Sequence, residues 1–91
     1  MFAQLLCGRY EDACSLAEQV LRESPELHLG LRSSAASFAL GGRPDDATRA
    51  IVRLRERDPQ LRISDLKDLL PLRPRDLARY ERGMRLAGLP E

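Results

Sequence analysis

The fold is best predicted from residues 41–59, GGRPDDATRAIVRLRERDP, because an earlier stretch of the chain has the same residue types at the same spacing. That earlier stretch is CGRYEDACSLAEQVLRESP, residues 7–25, and the offset between the two is 34 residues. The paired positions hold identical or similarly apolar residues: Gly8 and Gly42, Arg9 and Arg43, Asp12 and Asp46, Ala13 and Ala47, Ala17 and Ile51, Val20 and Leu54, Pro25 and Pro59. Self-similarity at a fixed period of this size indicates a repeat protein.

Each repeated position has a physical role in a pair of helices. The glycines end one helix, because glycine adopts the left-handed backbone of a helix C-terminus at little cost. The aspartates, with Asp45, lie in the first turn of the next helix, where the helix dipole favours negative charge. Pro44 suits the opening of a helix, and the prolines at the far end stop it. The alanines are small enough for two antiparallel helices to approach closely.

In the rest of the sequence, the spacing of apolar residues predicts helices, so we expect an all-α chain. The expected helices cover residues 10–23, 27–40, 44–57, a short segment from 64 to 70, and 74–87, with 1–7 as the tail of a first helix. Ser64 is expected to cap the short helix, Pro71 to end it and Gly88 to stop the last one. The apolar residues expected to close the core at the C-terminal end are Leu66, Leu69, Leu70, Leu77, Met84 and Leu86.

Composition restricts the class of protein. The chain has 91 residues, enough for one domain, with 43% hydrophobic and 32% charged residues. A formal net charge of +1 gives no overall field that would attract nucleic acid or an anionic membrane. The apolar opening is too short to span a bilayer. Cys7 and Cys14 stand inside helical patterns and do not suggest a disulfide framework, so we expect a cytoplasmic protein.

The second repeat unit resembles a tetratricopeptide repeat, whose pattern is W-x2-L-G-x2-Y, then A-x3-F, then P, in 34 residues. The matching positions are Leu31, Ser34, Ala35, Phe38, Ala47, Ile51 and Pro59, and the first unit keeps Gly8, Tyr10, Ala13, Ala17 and Pro25. This resemblance implies a short right-handed solenoid of antiparallel helix hairpins. The expected single domain divides into a truncated repeat over 1–26, a complete repeat over 27–60 and a degenerate C-terminal helix pair over 61–91, which caps the solenoid.

Residues 61–91 lose the glycine and alanine positions, and Leu69 stands where a small residue belongs. With LRISDLKDLLPLRP and RYERGMRLAGLPE, this segment resembles the end of bacterial proteins that carry a cyclase or winged-helix regulator domain ahead of tetratricopeptide repeats. The cyclases are adenylate or guanylate cyclases. The resemblance implies the C-terminal part of a larger regulatory or signalling protein. The apolar opening supports the same expectation, since an exposed repeat end needs a polar outer face or a cover.

Catalytic chemistry is not indicated by the sequence, and we predict no catalytic, cofactor-binding or metal-binding residue and no enzymatic activity. P-loop, dinucleotide and zinc-binding spacings are absent. His28, the single histidine, stands at a predicted helix start, where a structural or surface role suffices. The carboxylate pairs Glu11–Asp12 and Asp45–Asp46 also lie near helix starts, where the helix dipole explains them.

The family resemblance implies a partner-binding groove lined by the first helix of each hairpin. The corresponding residues are Phe2, Leu5, Leu29, Arg32, Ala36 and Ala39. A mostly apolar groove with one cation suits an amphipathic helix or an apolar extended segment. Packing of Phe2, Leu5 and Leu29 against neighbouring helices stays open as the alternative. Because Ala36 stands where asparagine is expected, the carboxylate clamp of some family members is not predicted here.

A protein–protein interaction or scaffolding module is therefore the predicted function. The partner would be a protein, a peptide or another domain of the same protein, and not a membrane. Two alternatives remain. The first is self-association, such as a homodimer, through the apolar N-terminal end. The second, less favoured, is contact with nucleic acid through a basic patch on the last helix, formed by Arg75, Arg79 and Arg82.

Overall fold

The computed structural model describes residues 2–69 and 72–91. Within these ranges it contains helices and no strand, so the all-α prediction is confirmed. The helices are α1 (Phe2–Leu6), α2 (Tyr10–Glu23), α3 (His28–Leu40), α4 (Pro44–Arg57), α5 (Leu66–Leu69) and α6 (Pro74–Ala87), with a 3-10 turn at Ile63–Asp65 before α5. The predictions for Leu70 and Pro71 concern residues outside the described ranges.

The turns that precede α2 and α4 have the same backbone geometry. Gly8 and Gly42 adopt φ angles of 80° and 78°. The N–H of Arg9 donates to the carbonyl of Gln4 (2.7 Å), and the N–H of Arg43 donates to the carbonyl of Phe38 (2.8 Å). This six-residue closure, with a left-handed glycine, is the standard way to satisfy the last carbonyls of a helix.

The far ends of α2 and α4 repeat as well. The N–H of Ser24 donates to Val20 at the end of α2, and the N–H of Asp58 donates to Leu54 at the end of α4, over 2.7 and 2.9 Å. Both helices contain 14 residues. The 34-residue period of the sequence is therefore also a period of the backbone.

Helix α3 is the centre of the molecule. Its residues from Gly30 to Phe38 are all buried, whereas α2 and α4 each bury one face. The end of α3 lies beside the start of α2, because Gly41 approaches the Sγ of Cys14, so the two helices are antiparallel. Buried serines on α3 bond within their own helix: Ser37 donates to the carbonyl of Ser33 (2.8 Å). These hydroxyls of a buried helix are therefore satisfied by carbonyls of the same helix.

Helix α6 packs across α3 and completes the core. Its buried residues are Tyr80, Gly83, Met84 and Ala87, which recur at helical spacing along one face. After α6 the chain turns at Gly88, Leu89 is buried, and the N–H of Ile63 donates to the carbonyl of Pro90 (2.8 Å). The C-terminal end is thereby joined to the turn that precedes α5.

Three sequence predictions for this end require correction. The core includes Leu66 and Met84, and Leu77 is partly buried against it. Leu69 and Leu86 are exposed. Leu86 misses the core because the buried face of α6 passes through Gly83, Met84 and Ala87 instead. Ser64 lies inside the 3-10 turn rather than before it, and the Oδ2 of Asp65 accepts the N–H of Arg62 (3.0 Å) as the capping contact.

Candidate functional site

The residues predicted to line a partner groove do not form an open surface. Leu5 and Ala36 have no exposed area, and Arg32 is only 7% exposed. Ala39 is half-buried against the core, and Leu29 alone of the described members is exposed. The side chain of Phe2 lies outside the described part of the structure. Leu5 therefore packs against neighbouring helices, which was the alternative to a role in partner binding. The groove predicted from the sequence is not open at the surface.

Helix α6 covers this face of α3 at Ala36. A methyl group at Gly83 would lie 3.1 Å from the Cα, Cβ and carbonyl oxygen of Ala36, so the two backbones are in close contact. Glycine and alanine allow such an approach because neither carries a bulky side chain. The chain's own last helix thus occupies the face of α3 that the family resemblance assigns to a partner.

Arg32 forms part of a polar row that connects three helices. Its Nε donates to the Nδ1 of His28 (2.9 Å), and the Nε2 of His28 lies 3.4 Å from the Oδ2 of Asp58 at the end of α4. On the other side, the Tyr80 hydroxyl of α6 interacts with the Arg32 guanidinium. Burial raises the pKa of Tyr80, and the charge and hydrogen bond of Arg32 partly offset this increase. Arg32 of α3 and Tyr80 of α6 are therefore neighbours in the core.

The predicted basic patch on α6 does not consist of three equivalent cations. Arg79 is half-buried, and its Nη1 donates to the carbonyl of Leu6 at the end of α1. Arg75 and Arg82 are exposed, and neither has a carboxylate within 4.0 Å in residues 2–69 and 72–91. Of the three patch residues, Arg75 and Arg82 are therefore the two that are free to meet an anionic partner.

A groove that the sequence did not indicate lies between α4 and the end of α6. Val52 is 51% exposed and Leu86 is 61% exposed, and both line this groove of about 670 Å³. Its other lining residues are Thr48, Ile51, Arg55, Glu56, Pro59, Ala87 and Gly88. The sequence contained one sign of this groove. Val52 directly follows Ile51, and two consecutive residues of an amphipathic helix cannot both face the core of the protein.

Metal ligands, membrane-spanning helices and cysteines were the other features of interest in the described residues. No three histidine, cysteine or carboxylate side chains of this part of the chain converge as metal ligands. None of its helices is long and apolar enough to cross a bilayer. Both thiols are free: Cys7 is exposed, and burial raises the pKa of Cys14, which donates to the carbonyl of Ser37 (3.3 Å).

Comparison with protein-family models, with curated proteins and with solved structures found no match for this chain. The interaction surfaces must therefore be interpreted from their own geometry.

Proposed function

We propose that residues 2–60 form tetratricopeptide-like hairpins. The support is the shared period of sequence and backbone: the turns at Gly8 and Gly42 have equal φ angles, and α2 and α4 have equal lengths. Ala13 and Ala47, which occupy equivalent positions, are both fully buried, as close helix packing requires. Helix α6 caps these hairpins by covering α3.

We further propose that the chain is a protein–protein interaction module within a larger regulatory or signalling protein of the cytoplasm. The observation that carries this proposal is the groove between α4 and α6. Val52 and Leu86 are among the most exposed large apolar side chains of the described residues, and they share one concavity. Apolar side chains that cluster on a surface commonly mark a site of protein contact.

The preferred partner of this groove is an apolar face of an amphipathic helix. Ile51, Val52 and Leu86 provide apolar walls, while Arg55 and Glu56 place one charge of each sign at the margin. A partner helix would bury its own leucines here and keep its polar side in water. Each apolar side chain buried in this way contributes about 1.5–3 kcal/mol.

The experiment is a titration of the ¹⁵N-labelled chain with a 14-residue amphipathic peptide that carries leucines at i, i+3, i+4 and i+7. Amide shifts should concentrate at residues 51–58 and 86–88. Leu86→Glu should weaken binding by about tenfold or more, since it removes an apolar contact of that size. Leu27→Glu is the matched control, because Leu27 is similarly exposed but lies outside the groove. Equal losses in both variants, or shifts elsewhere, would refute the groove.

Light scattering over a range of concentrations distinguishes a second copy of the chain from another protein as the partner. A dimer that persists at high salt and dissociates on Leu86→Glu would identify self-association through the groove. Leu5 does not provide a contact for self-association, because that side chain is buried within its own chain. A monomer at all concentrations would leave the groove to a different protein.

A further inference from the structure

The polar row at the start of α3 contains the single histidine of the chain, His28. Its Nδ1 lies 2.9 Å from the Nε of Arg32, and its Nε2 lies 3.4 Å from the Oδ2 of Asp58 at the end of α4. Each ring nitrogen therefore has a charged neighbour, and the two neighbours have opposite signs. The side chain of His28 is 34% exposed, so protons from the solvent can reach the ring.

These two contacts determine which nitrogen of the neutral ring carries the proton. A guanidinium has donors and no acceptor, so the hydrogen bond from Arg32 requires a free lone pair on Nδ1. The proton of the neutral imidazole is therefore on Nε2, the nitrogen that faces Asp58. In this form His28 accepts from Arg32 on one side and directs its N–H toward a carboxylate on the other.

Arg32 is a buried cation that depends on neutral partners. It is 7% exposed, and no carboxylate of residues 2–69 and 72–91 lies within 4.0 Å of its guanidinium. Its polar contacts include the imidazole of His28 and the Tyr80 hydroxyl of α6. A buried charge needs hydrogen-bond partners, so losing the imidazole as an acceptor would change how Arg32 is held in the core.

We propose that His28 is an acid-sensitive switch, which exchanges its hydrogen bond with Arg32 for an ion pair with Asp58. On protonation, a proton from water occupies the lone pair of Nδ1, and Nε2 keeps its own proton. The imidazolium cannot accept from Arg32, and the two adjacent cations repel each other. The same positive charge is attracted to Asp58, so the ring stays at the end of α4 while Arg32 stays beside Tyr80. Acid thus interrupts the polar row between His28 and Arg32.

The other titratable and charged groups around His28 do not compete for these contacts. Glu26, which precedes α3, pairs with Arg57, the last residue of α4. On the far side of Arg32, α6 contributes Tyr80, whose pKa is raised by burial, so its phenol stays protonated between pH 5 and pH 8. Histidine is the side chain whose charge ordinarily changes in that interval. The switch goes beyond the proposed function and does not depend on it.

The first test is NMR of the imidazole in the ¹⁵N-labelled full chain, where a single histidine gives an unambiguous signal. At pH 8 we expect Nδ1 to resonate as an unprotonated nitrogen and Nε2 as a protonated one. At pH 5 both nitrogens should carry protons, and the Nε–H signal of Arg32 should move because its acceptor is lost. A proton on Nδ1 at pH 8 would overturn the proposal, as would an Arg32 signal that does not move while His28 titrates.

The variant His28→Gln separates the switch from other effects of acid. Glutamine offers a carbonyl that can accept from Arg32 and an amide that can donate to Asp58, but it does not titrate. Between pH 8 and pH 5, the backbone amides of Arg32 and Tyr80 should shift in the wild-type chain and keep their positions in the variant. Equal shifts in the two proteins would overturn the proposal, because a group other than His28 would then respond to acid.

The variant Asp58→Asn tests the second contact, measured by urea unfolding. Without this carboxylate, protonated His28 is still repelled by Arg32 and gains no ion pair at the end of α4. Acidification from pH 8 to pH 5 should therefore raise the unfolding equilibrium constant about threefold more in the variant than in the wild type, which corresponds to an exposed ion pair. Glu56→Gln is the matched control and should follow the wild type, because Glu56 is an exposed carboxylate of α4 that does not contact His28. An equal response of Asp58→Asn and the wild type would overturn the exchange.

Discussion

The hairpin region, residues 2–60, and the C-terminal region, residues 61–91, close helix ends with the same glycine turn, but they differ in their hydrogen bonds to distant parts of the chain. In the hairpin region the turns close on neighbours in sequence, as when the N–H of Arg43 donates to Phe38. The C-terminal region has one such turn, in which the N–H of Leu89 donates to the carbonyl of Met84 (3.0 Å), and it also has hydrogen bonds that join distant parts of the chain. The N–H of Ile63 donates to the carbonyl of Pro90, and Arg79 donates to the carbonyl of Leu6.

The two regions therefore depend on each other to different degrees. A turn closed by a left-handed glycine and local hydrogen bonds forms from the local sequence alone. Helix α6 has its place only when α3 is present, because its buried residues Tyr80 and Gly83 meet Arg32 and Ala36. We therefore expect substitutions at the contact of α6 with α3 to have larger effects than substitutions in the turns.

The largest effect is expected from Gly83→Val. The added side chain would meet the backbone of Ala36, which belongs to a central helix and cannot move aside easily. Forcing extra carbons into a packed contact costs about 1–3 kcal/mol, and we expect the upper end here. The measurement is the free energy of unfolding in urea, followed by circular dichroism.

Ala78→Val is the matched control for this variant. Ala78 is an exposed residue of the same helix, so its substitution adds a branched side chain without a packing conflict. It should cost only the difference in helix propensity, a few tenths of a kcal/mol. Similar losses in the two variants would show that α6 does not press against α3.

The intermediate effect is expected from Gly42→Ala. Nothing lies within 4 Å of the added methyl group, so the whole cost arises from the backbone angle φ of 78°. For a residue with a Cβ, this conformation costs roughly 1–2 kcal/mol. The same urea measurement on Gly8→Ala should give a similar loss, since its φ is 80°.

Comparing the two glycine variants tests whether the first turn depends on the C-terminal region. At Gly8 the new methyl group would lie 3.7 Å from the Nη1 of Arg79, an ordinary contact, whereas Gly42 has no such neighbour. Equal losses would mean that the turns are independent of α6. A markedly larger loss at Gly8 would mean that Arg79 couples the first turn to the C-terminal region.

The same contrast explains which features the sequence could predict. The bounds of α2, α4 and α6 follow from Gly, Asp and Pro at fixed positions, which act within one turn of the chain. The cover over the predicted groove follows from the fit between Gly83 and Ala36, which are far apart in sequence, and no local pattern indicates it. The role of Arg32 was missed for the same reason, because Tyr80 comes from another helix.

The smallest effect concerns Tyr80, whose contribution to the free energy of unfolding changes only at alkaline pH. Burial raises the pKa of Tyr80 in the folded chain above the ordinary value of about 10. Below that value the phenol keeps its proton in both states, so its contribution to stability is constant. Above it the unfolded chain loses the proton first, and the free energy of unfolding falls until pH passes the folded pKa. Burial of Cys14 acts in the same direction.

Comparing the wild-type chain with Tyr80→Phe isolates the tyrosine contribution, because Cys14 is unchanged in both. At pH 8 the variant should lose about 1 kcal/mol, the usual contribution of a buried hydrogen bond. Between pH 8 and pH 10.5 it should lose less stability than the wild type, as measured by urea unfolding. Tyr10→Phe, the matched control, should keep the wild-type decrease. Equal decreases in Tyr80→Phe and the wild type would mean that the Tyr80 phenol is not protected. The cover of α6 over α3 would then be open at alkaline pH, and the long-range contacts of the C-terminal region would be weaker than its buried face indicates.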